Sequence, residues 1–415
     1  MGAIVDYINL KEHDIPLIYE HQTNLPTVSM QIVFKNSGSL AEGEKFGLAK
    51  LSAKLLGEGT LKDGPTKFAA KLEDRAIDMH VSCGRETFVF EMSALKSEFS
   101  TAITLLKSLI KDPNFSDETL AKIKNQTLSA IASKQSDFDY IASLELNAKL
   151  FHKTPLAHPS LGTNESLEKI KLEDIKKFLE AHMILENMVI VIGGDIDKDE
   201  AYRESYEIIK NIKAGKSKEL KYITTQPENK EFRVYKDTQQ AYIYFGSNYN
   251  IKVIDEDRYK ATVAAFILGS SGFGSRLMEE IRVKRGLAYS AYGRITNNKT
   301  HSYFSGYLQT KIENEAEAKK VVIDEIEKFV KKGVTKEELT AAKRFIIGSE
   351  PLRNETLSQR LNKTFMEYYK GLKFGASDED LKKIEALSLD DLNSYIKSHN
   401  EILDLTFVVV TAEQK

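Results

Sequence analysis

A helix-then-strand pattern occurs twice in this chain at one fixed spacing, and that duplication limits the possible folds more than any other feature. Leu172 to His182 (LEDIKKFLEAH) matches Leu389 to His399 (LDDLNSYIKSH), an offset of 217, and the same offset carries Val189 of VIVI onto Thr406 of TFVV. In both copies an amphipathic helical period gives way to a short apolar, β-branched run of the kind that forms a buried strand. At a slightly different offset, Ser116 to Lys124 (SDETLAKIK) pairs with Thr335 to Lys343 (TKEELTAAK). A repeat on this scale predicts two homologous domains of about two hundred residues each. The expected boundaries are 1–213 and 231–415, joined by the polar linker 214–230, AGKSKELKYITTQPENK.

Within each half, alternating stretches such as Phe88 to Met92 and Tyr242 to Phe245 read as strands, and long Lys/Glu-rich amphipathic stretches read as helices. The two kinds do not alternate regularly. The fold class expected is therefore α+β, each domain a mostly antiparallel sheet covered by helices, in preference to a doubly wound sheet. With 59 basic and 61 acidic residues the net charge is -2, which gives no pull toward nucleic acid or anionic lipid. The single cysteine, Cys83, excludes an internal disulfide. No segment has the apolar length of a membrane span. The expectation is a soluble protein, cytoplasmic, or periplasmic if Met1-Gly2-Ala3 stands where an export signal has been removed.

The segment Gly47 to Thr60, GLAKLSAKLLGEGT, carries the chemistry by what it lacks. Leu48, Leu51, Leu55 and Leu56 are spaced to bury one face of a helix that Gly57 and Gly59 stop. Positions 50 and 54 lie one turn apart on one face, where two histidines would grip a zinc ion. Both are lysine, and two ammonium groups repel a divalent cation and offer it no lone pair. At position 53, where a glutamate would act as general base on metal-bound water, stands Ala53.

The frame around those positions resembles the inverted zinc motif His-x-x-Glu-His of the M16 metallopeptidases, the pitrilysin and insulinase family. Val28 to Glu42 (VSMQIVFKNSGSLAE) resembles the first core strand of that family and its turn; Pro155 to Gly162 (PLAHPSLG) and Asn187 to Asp197 (NMVIVIGGDID) resemble two further landmarks. The resemblance spans most of the chain and implies the family's two-domain half-shell. It places the third zinc ligand, a glutamate, near Ala130 or Ile131, yet no carboxylate lies between Glu118 and Asp137. Lys50, Ala53 and Lys54 thus mark a degenerate zinc motif, and no metal site is expected in this chain.

A second constellation is complete. In Arg282 to Tyr289, RVKRGLAY, an arginine at a helix end is followed across the helix-stopping Gly286 by a tyrosine. This resembles the family's Arg/Tyr pair, which in heterodimeric relatives one subunit contributes to the zinc-bearing subunit's active site. Arginine is always charged and donates several fixed hydrogen bonds, and a tyrosine hydroxyl can point at a developing oxyanion. Met79, His80, Val81, Ser82 and Cys83 resemble the edge strand on which active relatives lay an extended peptide, a mode that reads main chain and tolerates sequence; an ordinary edge strand fits the same pattern equally well. Ser270 to Ser275, SSGFGS, lacks the Lys-Ser/Thr of a phosphate loop and reads as a strained or flexible connection into the helix of Arg282. No two of the eight histidines form a close pair on one helical face, so an alternative zinc site has little local support.

The resemblance implies a non-catalytic subunit, inactive alone, that pairs with a homologous zinc-bearing M16 subunit and encloses a peptide or unfolded polypeptide. Arg282 and Tyr289 are the expected catalytic contribution, Met79 to Cys83 the substrate-binding strand, and zinc the cofactor of the partner only. The alternatives are a scaffold subunit, like the core proteins of respiratory complexes that share the fold, and a self-associating peptide binder.

Overall fold

The computed structural model describes residues 2–413, so Met1 of the amino-terminal triplet lies outside the described residues. The chain divides into two compact units, each assembled from three segments. Met1–Ser133, Pro159–Leu220 and Arg353–Met366 make the first, and Lys134–His158, Lys221–Leu352 and Glu367–Lys415 the second.

The first unit is built on a six-stranded sheet in the order β1-β2-β6-β3-β5-β4. The strands are β1 (Ile4–Leu10), β2 (His13–His21), β3 (Thr27–Lys35), β4 (Asp78–Cys83), β5 (Thr87–Leu95) and β6 (Met188–Gly194). Every pairing is antiparallel except β2 with β6. Strand β6, MVIVIGG, is buried along its whole length, as its unbroken apolar run requires in the middle of a sheet. In β3 and β5 the burial alternates, and the register sets Met30 opposite Met92, Ile32 opposite Phe90 and Phe34 opposite Phe88. These residues make one apolar face. The helices Leu48–Leu56, Phe99–Lys111 and Leu172–His182 share its core through Leu51, Leu55, Leu106 and Ile175. The intervening residues Ser29, Gln31, Glu91 and Ser93 make the other, polar face, where a cavity of about 170 Å³ is bounded by Ser358, Leu361 and Asn362.

The segment Arg353–Met366 is tied to that unit by a buried ion pair. Glu20, 4% exposed, accepts from Arg360 Nε and lies 2.7 Å from its Nη2. Arg360 Nη1 also donates to the carbonyls of Asn354 and Glu355, so the guanidinium is held on two sides.

The second unit repeats the plan. Its five strands, β7 (Glu231–Tyr235), β8 (Gln240–Ser247), β9 (Ala288–Asn297), β10 (Ser302–Lys311) and β11 (Thr406–Thr411), take the order β7-β11-β8-β10-β9. The one parallel pair is β7 with β11, and β11 is the fully buried inner strand. With β1 set aside, the two orders correspond strand for strand, and the parallel pair falls at the same place in each. The duplicated segments land accordingly: Leu172–His182 and Leu389–Ser398 are helices, and the runs from Val189 and Thr406 lie in β6 and β11. The α+β expectation of mostly antiparallel sheets covered by helices is therefore the observed fold class. Residues 214–230 contain neither helix nor strand. Val28 to Glu42, read from sequence as the first core strand and turn, contains the third strand of the chain, since the hairpin β1–β2 precedes it.

Removing the partner of a buried carboxylate is expensive. Arg360→Ala is expected to lower the unfolding free energy by roughly 3–5 kcal/mol, read from chemical denaturation, and Glu20→Gln combined with Arg360→Ala is expected to recover part of that loss.

Candidate functional site

The helix Leu48–Leu56 is the first of two helices in the connection from β3 to β4, ahead of Gly64–Glu73, and packs against β4. Its entrance requires a glycine: Gly47 has φ +94°, and a Cβ there would stand 2.6 Å from the Leu161 carbonyl oxygen. Glu42 then caps the first turn, with one carboxylate oxygen accepting from the Gly47 N–H and the other from the Ala49 N–H, each at 2.9 Å. The helix closes where the Gly57 N–H reaches back to the carbonyls of Ala53 and Lys54. Leu48, Leu51, Leu55 and Leu56 are buried, as their spacing requires.

Lys50 and Lys54 lie one turn apart and half-buried, with Ala53 buried between them. Lys54 Nζ donates to Thr127 Oγ1 at 2.9 Å. Burial lowers the Lys54 pKa, and the neighbouring charge of Lys50 lowers it further. Thr127 lies on the helix Asp117–Ser133, which also carries Ala130 and Ile131. Two ammonium groups, a methyl and a hydroxyl do not fit a zinc ion. Among the described residues no group of three His, Cys, Asp or Glu side chains is arranged to hold a metal.

The strand beside this helix is an edge. Among the described residues β4 has β5 on one side and no strand on the other. Its side chains alternate. Met79 and Val81 pack on the core and Cys83 is buried, while Ser82 and His80 are exposed on the opposite face. Burial pushes the Cys83 thiol up to about 12, so it stands as a neutral thiol that donates to the Gly84 carbonyl. His80 Nε2 contacts Glu91, and its Nδ1 is 3.8 Å from Asp78 Oδ2.

In the second unit the equivalent connection, from β8 to β9, carries Arg282. Arg276–Met278 is α-helical and continues as a π-helical turn over Glu279–Val283, in which the Lys284 N–H reaches the Glu279 carbonyl at 2.9 Å. Leu277 and Ile281 are buried in the core of that unit, and Arg276 grips Glu338 through Nε at 2.6 Å and Nη2 at 2.7 Å. Gly286 at φ +63° stops the turn, its N–H bonding the Arg282 carbonyl. These anchors fix one face and leave Arg282 on the other. Tyr289 is the second residue of β9, which is the edge strand of its sheet and the counterpart of β4.

The structure brings Arg282 and Tyr289 together. The guanidinium carbon stands 4.4 Å from the centre of the Tyr289 ring and 4.7 Å from that of Phe273. Both rings face solvent, Tyr289 at 80% and Phe273 at 68% exposure. Among the described residues no carboxylate pairs with Arg282; its neighbour Glu280 is occupied by Lys284 and Arg285. A large exposed aromatic stacked on an unpaired guanidinium is a ready contact surface for a peptide group. Sequence reasoning missed Phe273. Its signal was an aromatic between two glycines, Gly272 and Gly274, which adopt φ +70° and +91° and lift the ring out of the loop.

Burial pushes the Glu42 carboxyl up to about 7 against the pull of the Ala49 and Gly47 N–H groups, Arg85 and Lys50. The folded chain therefore keeps a proton that the unfolded chain releases near its ordinary value of 4.5. This contribution to stability is complete below pH ~4.5 and is lost as the pH rises through ~7. Thermal unfolding from pH 4 to 8 is expected to show that decline, and Glu42→Gln to flatten it between those limits relative to the unsubstituted protein.

Comparison with known proteins gives one answer over the whole chain. Residues 17–164 match the family described as Insulinase (Peptidase family M16), and residues 169–346 match the Peptidase M16 inactive domain. A protein of Helicobacter pylori named non-peptidase homolog YmxG is 42% identical over 414 residues, covering 100% of this chain and 96% of its own. A Rickettsia felis protein named as an uncharacterized zinc protease is 22% identical, with 89% of each chain covered. The crystal structure of a peptidase M16 inactive domain from Pseudomonas fluorescens superposes with a TM-score of 0.91 at 24% identity, over 99% of this chain and 98% of that one.

Proposed function

This chain belongs to the insulinase (M16) peptidase family as a non-peptidase homologue, and from that premise we propose that it is the non-catalytic subunit of a two-chain zinc peptidase. The observation that carries the reading is the contrast between the two equivalent connections, β3 to β4 and β8 to β9. One presents Lys50, Ala53 and Lys54 where metal chemistry would need two ligands and a base. The other presents a guanidinium without a carboxylate partner, stacked on an exposed tyrosine. In this reading the zinc and its bound water belong to a homologous partner, which supplies the nucleophile.

The residues of this chain then act on the substrate. Strand β4, through the backbone of Met79, His80, Val81, Ser82 and Cys83, holds a peptide or unfolded polypeptide extended, which accounts for sequence tolerance. Arg282 donates to the substrate backbone through N–H groups that no internal acid occupies. Tyr289 carries its hydroxyl on an exposed ring braced from one side by Arg282, and donates to the oxygen that gains charge as the carbonyl is attacked. Cation–π stacking orients the pair without consuming any of its hydrogen-bond donors.

The test is reconstitution with a zinc-bearing homologue from the same genome. The mixture is expected to cleave an unfolded polypeptide that neither chain cleaves at a comparable rate alone. Tyr289→Phe is expected to lower kcat roughly 10²-fold, the effect of deleting one oxyanion donor, while the complex still assembles in analytical ultracentrifugation. Unchanged turnover in that variant removes the catalytic role, and assembly without any gain in hydrolysis favours the scaffold reading.

A further inference from the structure

We propose that Lys50 and Lys54 form an anion site that takes a carboxylate of a peptide lying along the outer edge of β4. The proposal rests on the peptide-binding reading above and assigns a ligand to the pair that displaced the metal chemistry.

Lysines elsewhere on the first unit commonly have acids beside them, as Lys122 does with Glu58 and Lys45 with Asp174. Among the described residues neither Lys50 nor Lys54 has a carboxylate in ion-pair range. Lys54 meets only the neutral hydroxyl of Thr127, which leaves ammonium donors to spare. Both side chains are half-buried one helical turn apart, and the charge of Lys50 acts on Lys54. Like charges at that spacing repel, and partial burial strengthens the repulsion. The lowered pKa of Lys54 has the same two origins. An anion between the ammonium groups relieves both.

The surroundings say where such an anion comes from. Helix Leu48–Leu56 packs on β4, and Lys50 is near enough to Cys83, the last residue of that strand, for its charge to act on the thiol. Arg85, in the turn that follows, acts on the same thiol and adds a third cation. Glu42, an acid near Lys50, is turned inward with both oxygens on backbone N–H groups. The end of an open strand edge therefore lies near Lys50 and Lys54, and Glu42 is engaged by backbone N–H groups. A chain added to that edge by main-chain hydrogen bonds brings its carboxylates there. Two ammonium groups about one turn apart suit the two oxygens of one carboxylate. The carboxylate is either the terminal one or that of an Asp or Glu side chain.

Three fluorescent peptides of one extended sequence separate these sources when titrated by anisotropy into the full chain: one with a free C-terminus, one amidated with a single internal Glu, and one amidated and neutral. At least one carboxylate peptide is expected to bind about tenfold tighter than the neutral one, an advantage that shrinks as salt rises. The advantage is expected to vanish in the Lys50→Gln, Lys54→Gln double variant and to survive in the Lys50→Arg, Lys54→Arg variant, with the neutral peptide unchanged in both. Circular dichroism confirms that each variant folds. Preference for the free terminus or for the internal Glu identifies the source. Equal affinity for all three peptides, or an advantage that persists in the glutamine variant, overturns the anion site and leaves peptide binding intact. No binding of any peptide overturns both.

Discussion

Each sheet buries one face under helices of the connection that runs from an inner strand to the edge strand, and both candidate sites depend on that packing. In the first unit the helix Leu48–Leu56 drives Leu51 and Leu55 into the core against β3, β5 and β4. In the second, Leu277 and Ile281 do the same on β9. Burying leucine or isoleucine side chains of this kind is worth roughly 1.5–3 kcal/mol each. The burial fixes helix rotation, and rotation decides which residues remain on the free face. Gly57 ends the first of these helices, with the helix Gly64–Glu73 still to come before β4, and Gly286 ends the second just before β9. The result in each unit is a polar helical face in the connection that leads to an edge strand.

What those faces carry differs, and the difference is electrostatic. Lys50 and Lys54 present like charges where a metal site would gather lone pairs. Arg282 presents a charge whose partner is the π-face of Tyr289 and of Phe273. Neither arrangement is self-satisfied within its unit. A folded surface with uncompensated, partly buried cations next to an open strand edge is poorly explained by stability and well explained by an extended, oxygen-rich ligand.

Much of this was legible in the sequence because it rests on short-range periodicity. The leucine spacing of Leu48 to Leu56 gave the buried face, Gly286 gave the helix stop before Tyr289, and the repeat at 217 gave matching helices and inner strands. Long-range placement was not legible. A helical period says which face is buried and not against what, so nothing in Phe138–Leu150 announces that it packs on β8 and β11, and nothing in Arg353–Met366 places it with the first unit. The hairpin β1–β2 turns through Lys11 and Glu12 at φ +51° and +65° in place of an Asn-Gly pair, so it carries no turn signal. Nothing in the period of Asp117–Ser133 announces that Thr127 accepts a hydrogen bond from Lys54. The π-helical turn at Glu279–Val283 adds a residue that a 3.6-residue period does not anticipate.

The central claim is that the metal-binding chemistry of this helix has been replaced by side chains that exclude it. The most direct test is equilibrium zinc titration of the isolated chain against a chromogenic chelator at neutral pH, repeated on a Lys50→His, Ala53→Glu, Lys54→His variant. The account predicts no stoichiometric zinc on the unsubstituted chain, and only weak binding on the variant, because the stretch between Glu118 and Asp137 has no carboxylate to serve as third ligand. One tightly held zinc per unsubstituted chain, accompanied by peptide hydrolysis without a partner, contradicts it.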